Sequence, residues 1–180
     1  MIFPKLCAIL YFMKILYDQS AIMAEVKRVG AEITRDYAGK QPLVIGILKG
    51  SFVFMADLLR RTDLPCQVEF MQAKSYGSDT VSSGVVRIVK DVDQDIEGRD
   101  VLVVEDILDT GNTLNSVCEI LRSRKPASLK VCVFLDKKIS RKTPLEADYA
   151  CFEVGEEFVV GYGLDYAEKY RNLPYVGVLN

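Results

Sequence analysis

A chain of 180 residues, 49% apolar and 27% charged, has the composition of one globular domain rather than of a disordered or fibrous protein. It contains no histidine, which excludes Ser-His-Asp and Cys-His nucleophile systems, His-bearing zinc sites and His-ligated haem. A net charge of −2 supplies no cationic face for coating nucleic acid, so no nucleic-acid partner is expected.

Residues 1–12, MIFPKLCAILYF, are apolar but too short to span a bilayer, carry their one charge internally and lead to no small-residue cleavage site. They read as an upstream start or an extension, with a single domain over 13–180 and no membrane association. Ser20 is placed to cap a helix whose Ile22, Val26, Val29 and Ile33 share one face and which ends near Gly39. Leu43–Leu48 is a nearly continuous apolar run, as in a strand covered on both faces. A short helix over 52–60 and a strand over 66–73 follow. Gly77, Ser78, Asp79, Ser82, Ser83 and Gly84 then make a polar loop, and strand character resumes over 85–89. Val101–Val104 is wholly apolar. Beyond Thr113 a helix sets Leu114, Val117, Cys118 and Leu121 on one face, and Pro126 stops it. The next strand spans 129–135, with shorter candidates at 150–154, 158–162 and 175–179.

Apolar strands alternating with amphipathic helices predict an α/β fold, a single domain with a mainly parallel twisted sheet flanked by helices. Ligands in such sheets bind beyond the carboxyl ends of the strands, here the loops after Leu48, Val104 and Leu135. The five cysteines, Cys7, Cys66, Cys118, Cys132 and Cys151, are odd in number and include no C-x-x-C. They fit neither a disulfide framework nor a thiolate metal site, and a cytoplasmic chain is expected.

The segment Val101–Leu114 carries the strongest chemical signal. A buried strand ends in Glu105 and Asp106, then a loop with Asp109, Thr110, Gly111 and Asn112 feeds a helix start at Thr113. Unpaired backbone N–H groups and the positive end of the helix dipole hold a phosphate there, with the two threonine hydroxyls as further donors. Acids beside a phosphate site suit the hydroxyls of a sugar phosphate. The acids capping the turn is the plainer alternative. Asp109-Thr110-Gly111 also matches the aspartic-protease tripeptide. That chemistry needs two such aspartates in a β-rich setting, whereas this single copy enters a helix. No P-loop spacing occurs. Leu48-Lys49-Gly50-Ser51 repeats the strand–turn arrangement with a lysine, as a second anion site or a plain turn.

Glu105–Thr113 resembles the donor-binding signature of the type I phosphoribosyltransferases. With Leu48–Ser51, Lys74–Gly77, Leu135–Lys137 and Phe158–Arg171, the chain from about Met13 onward resembles the bacterial hypoxanthine phosphoribosyltransferases. The resemblance implies a small hood from the N- and C-terminal segments, Mg²⁺ as cofactor, phosphoribosyl pyrophosphate and 6-oxopurine bases as ligands, and a homo-oligomer. By position it implies that residues 109–113 hold the 5-phosphate and that Glu105 and Asp106 meet the ribose hydroxyls. Asp109 becomes the general base near purine N7, and Lys137 the donor to the 6-oxo group. Phe158 stacks on the base, with the Val159 backbone at its edge. Asp165, with Glu105 and Asp106, belongs to the metal site. Arg171, Lys49 and Gly50 take pyrophosphate, and Ser75 and Tyr76 lie on a closing loop.

Lysine is donor-only, so Lys137 favours a carbonyl at position 6 over the amino group of adenine. Lys137 and Lys138 are adjacent, and only one can face the base; the family register selects Lys137. Asn112 stands where some members carry lysine and takes no part in charge stabilisation. Eight basic residues within 122–142 read as a solvated face, a subunit contact or an anion-attracting rim. A xanthine-preferring sibling and a nucleotide-binding regulator on the same fold are the rival readings.

Overall fold

The computed structural model describes residues 13–75 and 86–179. The expectations for residues 1–12 and for the 77–84 loop, together with Tyr76, lie outside the described residues. The elements run β1 (Lys14–Tyr17), α1 (Gln19–Asp36), β2 (Leu43–Leu48), α2 (Phe52–Leu59), β3 (Gln67–Ser75), β4 (Val86–Lys90), β5 (Asp100–Leu108), α3 (Asn112–Ser123), β6 (Ser128–Asp136), β7 (Tyr149–Glu153), β8 (Val159–Val160) and β9 (Val176–Val178). A 3₁₀ turn at Lys138–Ser140 follows β6.

The main sheet has the order β4-β3-β2-β5-β6-β7. All neighbours are parallel except β4, which closes one edge antiparallel to β3. Chain order reverses direction between β2 and β5, so the turns that follow these strands flank one crevice. A second antiparallel sheet, β1-β9-β8, joins the N- and C-terminal segments into the hood.

The apolar runs are continuous because both faces of the sheet are covered. Val44, Leu102, Val104, Cys132 and Phe134 pack with Ile22, Val26, Val29 and Ile33 of α1 and Phe54, Met55 and Leu58 of α2. Leu43, Ile45, Val101, Val103, Val131 and Val133 pack on the other face with Leu114, Val117, Cys118 and Leu121 of α3. Burial raises the thiol pKa of Cys118 to about 11 and of Cys151 to about 12, so these cysteines serve as core residues.

Three local readings are corrected. The cap of α1 is Asp18, whose carboxylate accepts the Ala21 N–H at 2.8 Å, while the Ser20 hydroxyl donates to the same carboxylate. Both residue types suit the position, and the earlier turn start settles it. Strand β1 escaped detection because four residues at a sheet edge carry no periodicity. Strand β5 extends beyond Val104 to Leu108, so Glu105 and Asp106 lie inside the strand and not at its end.

At the N-terminal end of the sheet, Asp36 closes α1 onto β6 and β7. It accepts the Tyr149 hydroxyl at 2.8 Å and the Lys130 ammonium at 3.3 Å, and that ammonium lies over the Tyr149 and Tyr37 rings. The Tyr149 hydrogen bond, then Arg35 and Lys130, lower the Asp36 pKa to about 2. A depressed carboxylate pKa contributes stability above its unfolded value and loses it as pH falls through the folded one. Thermal melts stepped from pH 5 to pH 2 should therefore fall more steeply for the native protein than for Asp36→Asn, with the divergence between about pH 4 and pH 2.

Candidate active site

The crevice is built from the two turns at the reversal point and is closed on one side by the hood. Lys49 and Gly50 follow β2, across a cis Leu48–Lys49 peptide. A Cβ on Gly50 would overlap the Asp106 carboxylate, and a Cβ on Gly163 would overlap the Gly50 carbonyl. The β2 turn is thus pressed between β5 and the hood, a fit that only glycine permits at both positions.

Strict alternation along β5 from Val101 would put Ile107 in the α3 core and Leu108 in the other. The packing is the reverse, Ile107 with α1 and α2 and Leu108 with α3. Glu105 and Asp106 sit where this phase changes, which lets two consecutive strand residues serve one site. Burial and the neighbouring Asp106 carboxylate push the Glu105 carboxyl well above the usual carboxylate range.

Two adjoining pockets open at this point. The first, of about 220 Å³, is lined by Glu105, Asp106, Asp109, Thr110, Gly111 and Thr113 among others. Gly111 caps α3 in the left-handed region at φ +81°. Its carbonyl accepts the Asn115 N–H, and the Thr110 hydroxyl accepts the Asn112 N–H at 3.4 Å. Among the described residues the N–H groups of Thr110, Gly111 and Thr113 have no acceptor, as an anion cradle requires.

The second pocket, of about 200 Å³, is lined by Asp106, Ile107, Asp109, Lys137, Glu157, Phe158, Val159, Leu164 and Asp165. The Lys137 ammonium donates to the carbonyls of Glu156 and Glu157 at 3.3 and 3.1 Å, while Lys138 turns to Glu153 at 2.9 Å. Phe158 is exposed at the rim, edge-on to Tyr166. Asp109 lines both pockets, and its Oδ1 is buried without a partner.

A charged cluster forms the third part. Arg171 pairs with Asp165 at 2.7 Å and Glu168 at 3.6 Å and donates to the Gly163 carbonyl, and Lys49 reaches Glu168 at 3.1 Å. Lys49 is the first cause of the lowered Glu168 pKa.

The structure thus brings Lys49, Gly50, Glu105, Asp106, Asp109, Thr110, Gly111, Thr113, Lys137, Phe158, Val159, Asp165 and Arg171 around one crevice, with Asn112 at the first turn of α3. Ser75 ends β3. Sequence reasoning overlooked Glu168, which bridges Lys49 and Arg171; an acid in a polar hood loop carries no periodic signal. The basic run of 122–142 is not one face. Arg124 pairs with Asp91 and Lys130 with Asp36, Lys137 enters the second pocket, and Arg141 is buried against Asp136.

The donor chemistry of Glu105, Asp106 and Asp165 fits Mg²⁺. All are oxygen donors in ones and twos, and no cluster of three occurs among the described residues. A hard ion completed by substrate oxygens and water suits that set. Among the described residues no helix is long and apolar enough to cross a membrane.

The family model described as the phosphoribosyl transferase domain matches residues 13–167. The chain is 52% identical over 166 residues to a hypoxanthine-guanine phosphoribosyltransferase of Streptococcus thermophilus and, over the same length, to one of Bacillus subtilis, covering 92% of each chain. A crystal structure of a hypoxanthine phosphoribosyltransferase from Staphylococcus aureus superposes with a TM-score of 0.93 at 46% identity, over 96% of this chain and 95% of that one.

Proposed function

The chain belongs to the phosphoribosyl transferase domain family, and from that premise we propose that it is a purine-salvage enzyme joining hypoxanthine or guanine to the ribose 5-phosphate of phosphoribosyl pyrophosphate. The bond from purine N9 to ribose C1′ forms as the bond from C1′ to pyrophosphate oxygen breaks. The observation that carries this reading is Asp109, whose carboxylate stands between two pockets with one buried oxygen unpartnered. A base in the second pocket and a sugar phosphate in the first meet beside it, with purine N9 facing ribose C1′.

Asp109 accepts the N7 proton as N9 bonds to C1′. The N–H groups of Thr110, Gly111 and Thr113 hold the 5-phosphate, and Glu105 and Asp106 take the ribose hydroxyls. Lys137 donates to the purine 6-oxo group, Phe158 stacks on the ring and the Val159 backbone meets its edge. Lys49, with the Gly50 turn, and Arg171 bind the pyrophosphate end. Ser75 and Tyr76 belong to the segment that closes over the donor. Asp165, with Glu105 and Asp106, would hold Mg²⁺, which supplies charge neutralisation for the departing pyrophosphate. As the donor enters, Lys49 must exchange Glu168, and Arg171 both Asp165 and Glu168, for that pyrophosphate, so no cation lacks a counter-charge in either state.

Nucleotide formation with phosphoribosyl pyrophosphate and Mg²⁺ is the test, offering hypoxanthine, guanine, xanthine and adenine separately. Turnover of the first two is expected and adenine should be rejected. Turnover of xanthine alone would replace the substrate assignment, and binding of the donor without turnover of any base would favour a nucleotide-binding regulator. Lys137→Gln should lower kcat/KM for hypoxanthine by about 10- to 100-fold, because a charged donor leaves the 6-oxo group. Lys138→Gln, whose partner is Glu153, should stay within a few-fold of the native enzyme. Equal losses in the two variants would overturn the assignment. Cytoplasmic location, in keeping with the four free thiols among the described residues, and assembly into a dimer or tetramer belong to the same reading.

A further inference from the structure

The outer side of the 108–111 loop is held by one short segment. Arg141 donates from Nε to the Asp109 carbonyl at 3.1 Å and from Nη2 to the Leu108 carbonyl at 3.2 Å. Its guanidinium also binds the Asp136 carboxylate and the Leu145 carbonyl. Both charged side chains are buried, 9% exposed for Arg141 and 6% for Asp136. The next residue, Lys142, donates its backbone N–H to the Thr110 carbonyl at 2.9 Å. Thr143 then presses its hydroxyl against Gly111, so closely that a Cβ on Gly111 would overlap it.

Two consecutive carbonyls, Asp109 and Thr110, therefore point to the 141–143 segment, neither of whose donors lines the first pocket, and the Leu108 carbonyl before them is shared between Arg141 and the Lys137 N–H at 2.9 Å. A trans peptide is planar, with its C=O and the following N–H on opposite sides. Drawing the Asp109 and Thr110 carbonyls outward turns the Thr110 and Gly111 N–H groups inward. These are the groups without an acceptor among the described residues. The left-handed Gly111 completes the turn into α3.

We propose that Arg141, fixed by Asp136, is a positioning residue that aims the backbone amides of the 109–111 loop at the 5-phosphate. The inference rests on the phosphate-site reading above. Arg141 lines neither pocket, and its buried charge is compensated by Asp136 and the carbonyls of Leu108, Asp109 and Leu145. The fork geometry is essential: an ammonium in its place keeps the Asp136 pair but cannot hold two successive carbonyls at once.

The decisive comparison is the affinity of the full chain for inosine 5′-monophosphate against inosine, which differ by the phosphate alone. Arg141→Lys should bind the monophosphate about 10- to 100-fold more weakly, with inosine and hypoxanthine shifted by less than about threefold. KM for phosphoribosyl pyrophosphate should rise by a similar factor while KM for hypoxanthine stays. Arg141→Ala should show the larger loss, partly restored by added guanidinium at non-denaturing concentration. A folded Arg141→Lys protein, checked by circular dichroism, that keeps the native preference for the monophosphate would overturn the proposal. Equal weakening for both ligands would do the same, since general loosening of the fold predicts that pattern. If the native protein itself does not prefer the monophosphate, the phosphate-site reading is at fault instead.

Discussion

Asp109→Asn is expected to fold normally and to lose about 100- to 10,000-fold in kcat, the range that a positioned general base contributes. The substitution is isosteric, and Asp109 makes no side-chain hydrogen bond or ion pair among the described residues that the change would break. What it removes is a carboxylate that lines both pockets and, unlike Asp106 beside it, keeps one buried oxygen without a partner. An amide in that position hydrogen-bonds a purine but takes no proton from it. The loss should therefore fall on kcat, with affinity for inosine 5′-monophosphate and both KM values within a few-fold of the native enzyme. Steady-state kinetics with hypoxanthine, alongside a direct binding measurement, checks both halves. A variant that keeps native kcat would show that the proton leaves by another route. A loss confined to KM would make Asp109 a binding residue only.

The limits of the sequence reading follow from what hydrophobic patterning can register. Leu43–Leu48 was legible to the residue, because a strand covered on both faces has to be apolar at every position. Strand β5 was legible only to Val104: beyond it, Glu105 and Asp106 hold strand geometry while carrying charge, and a patterning argument stops at the first charge. The same conflict marks the site, since locally inconsistent residues collect where function overrides packing. Gly111 was legible because its left-handed turn at φ +81° favours glycine, and the hydroxyl residues beside it pointed to the proposed anion cradle. Arg141 and Glu168 were opaque for a different reason. An arginine within a basic run looks solvated, and only the return of the chain after β6 buries it against Asp136. Glu168 acquires meaning from Lys49, 119 positions away in the chain.

Gly50→Ala should cost about 100-fold in kcat/KM for phosphoribosyl pyrophosphate while leaving KM for the base nearly unchanged. The added methyl has no free direction. Its Cβ would occupy space now taken by the Asp106 carboxylate, and the Gly50 carbonyl is backed by the Gly163 backbone, which is itself in the left-handed region at φ +101°. The turn cannot recede into the hood, so Asp106 must rotate away from the first pocket. A displacement near 1 Å in the group proposed to orient the ribose is enough for a loss of this order, because proximity falls off steeply with misplacement. Stability should change much less, since the group that moves is one side chain at a pocket wall. Gly39→Ala provides the contrast. Gly39 is also left-handed, at φ +76°, but nothing lies within 4 Å of its Cβ position. There the cost is backbone strain alone, about 1–2 kcal/mol in stability, with kinetics unaltered. Thermal melts and kinetics of the pair separate the two effects: a Gly50→Ala protein that lost stability like Gly39→Ala and kept its donor kinetics would show that Asp106 tolerates displacement and does not orient the ribose.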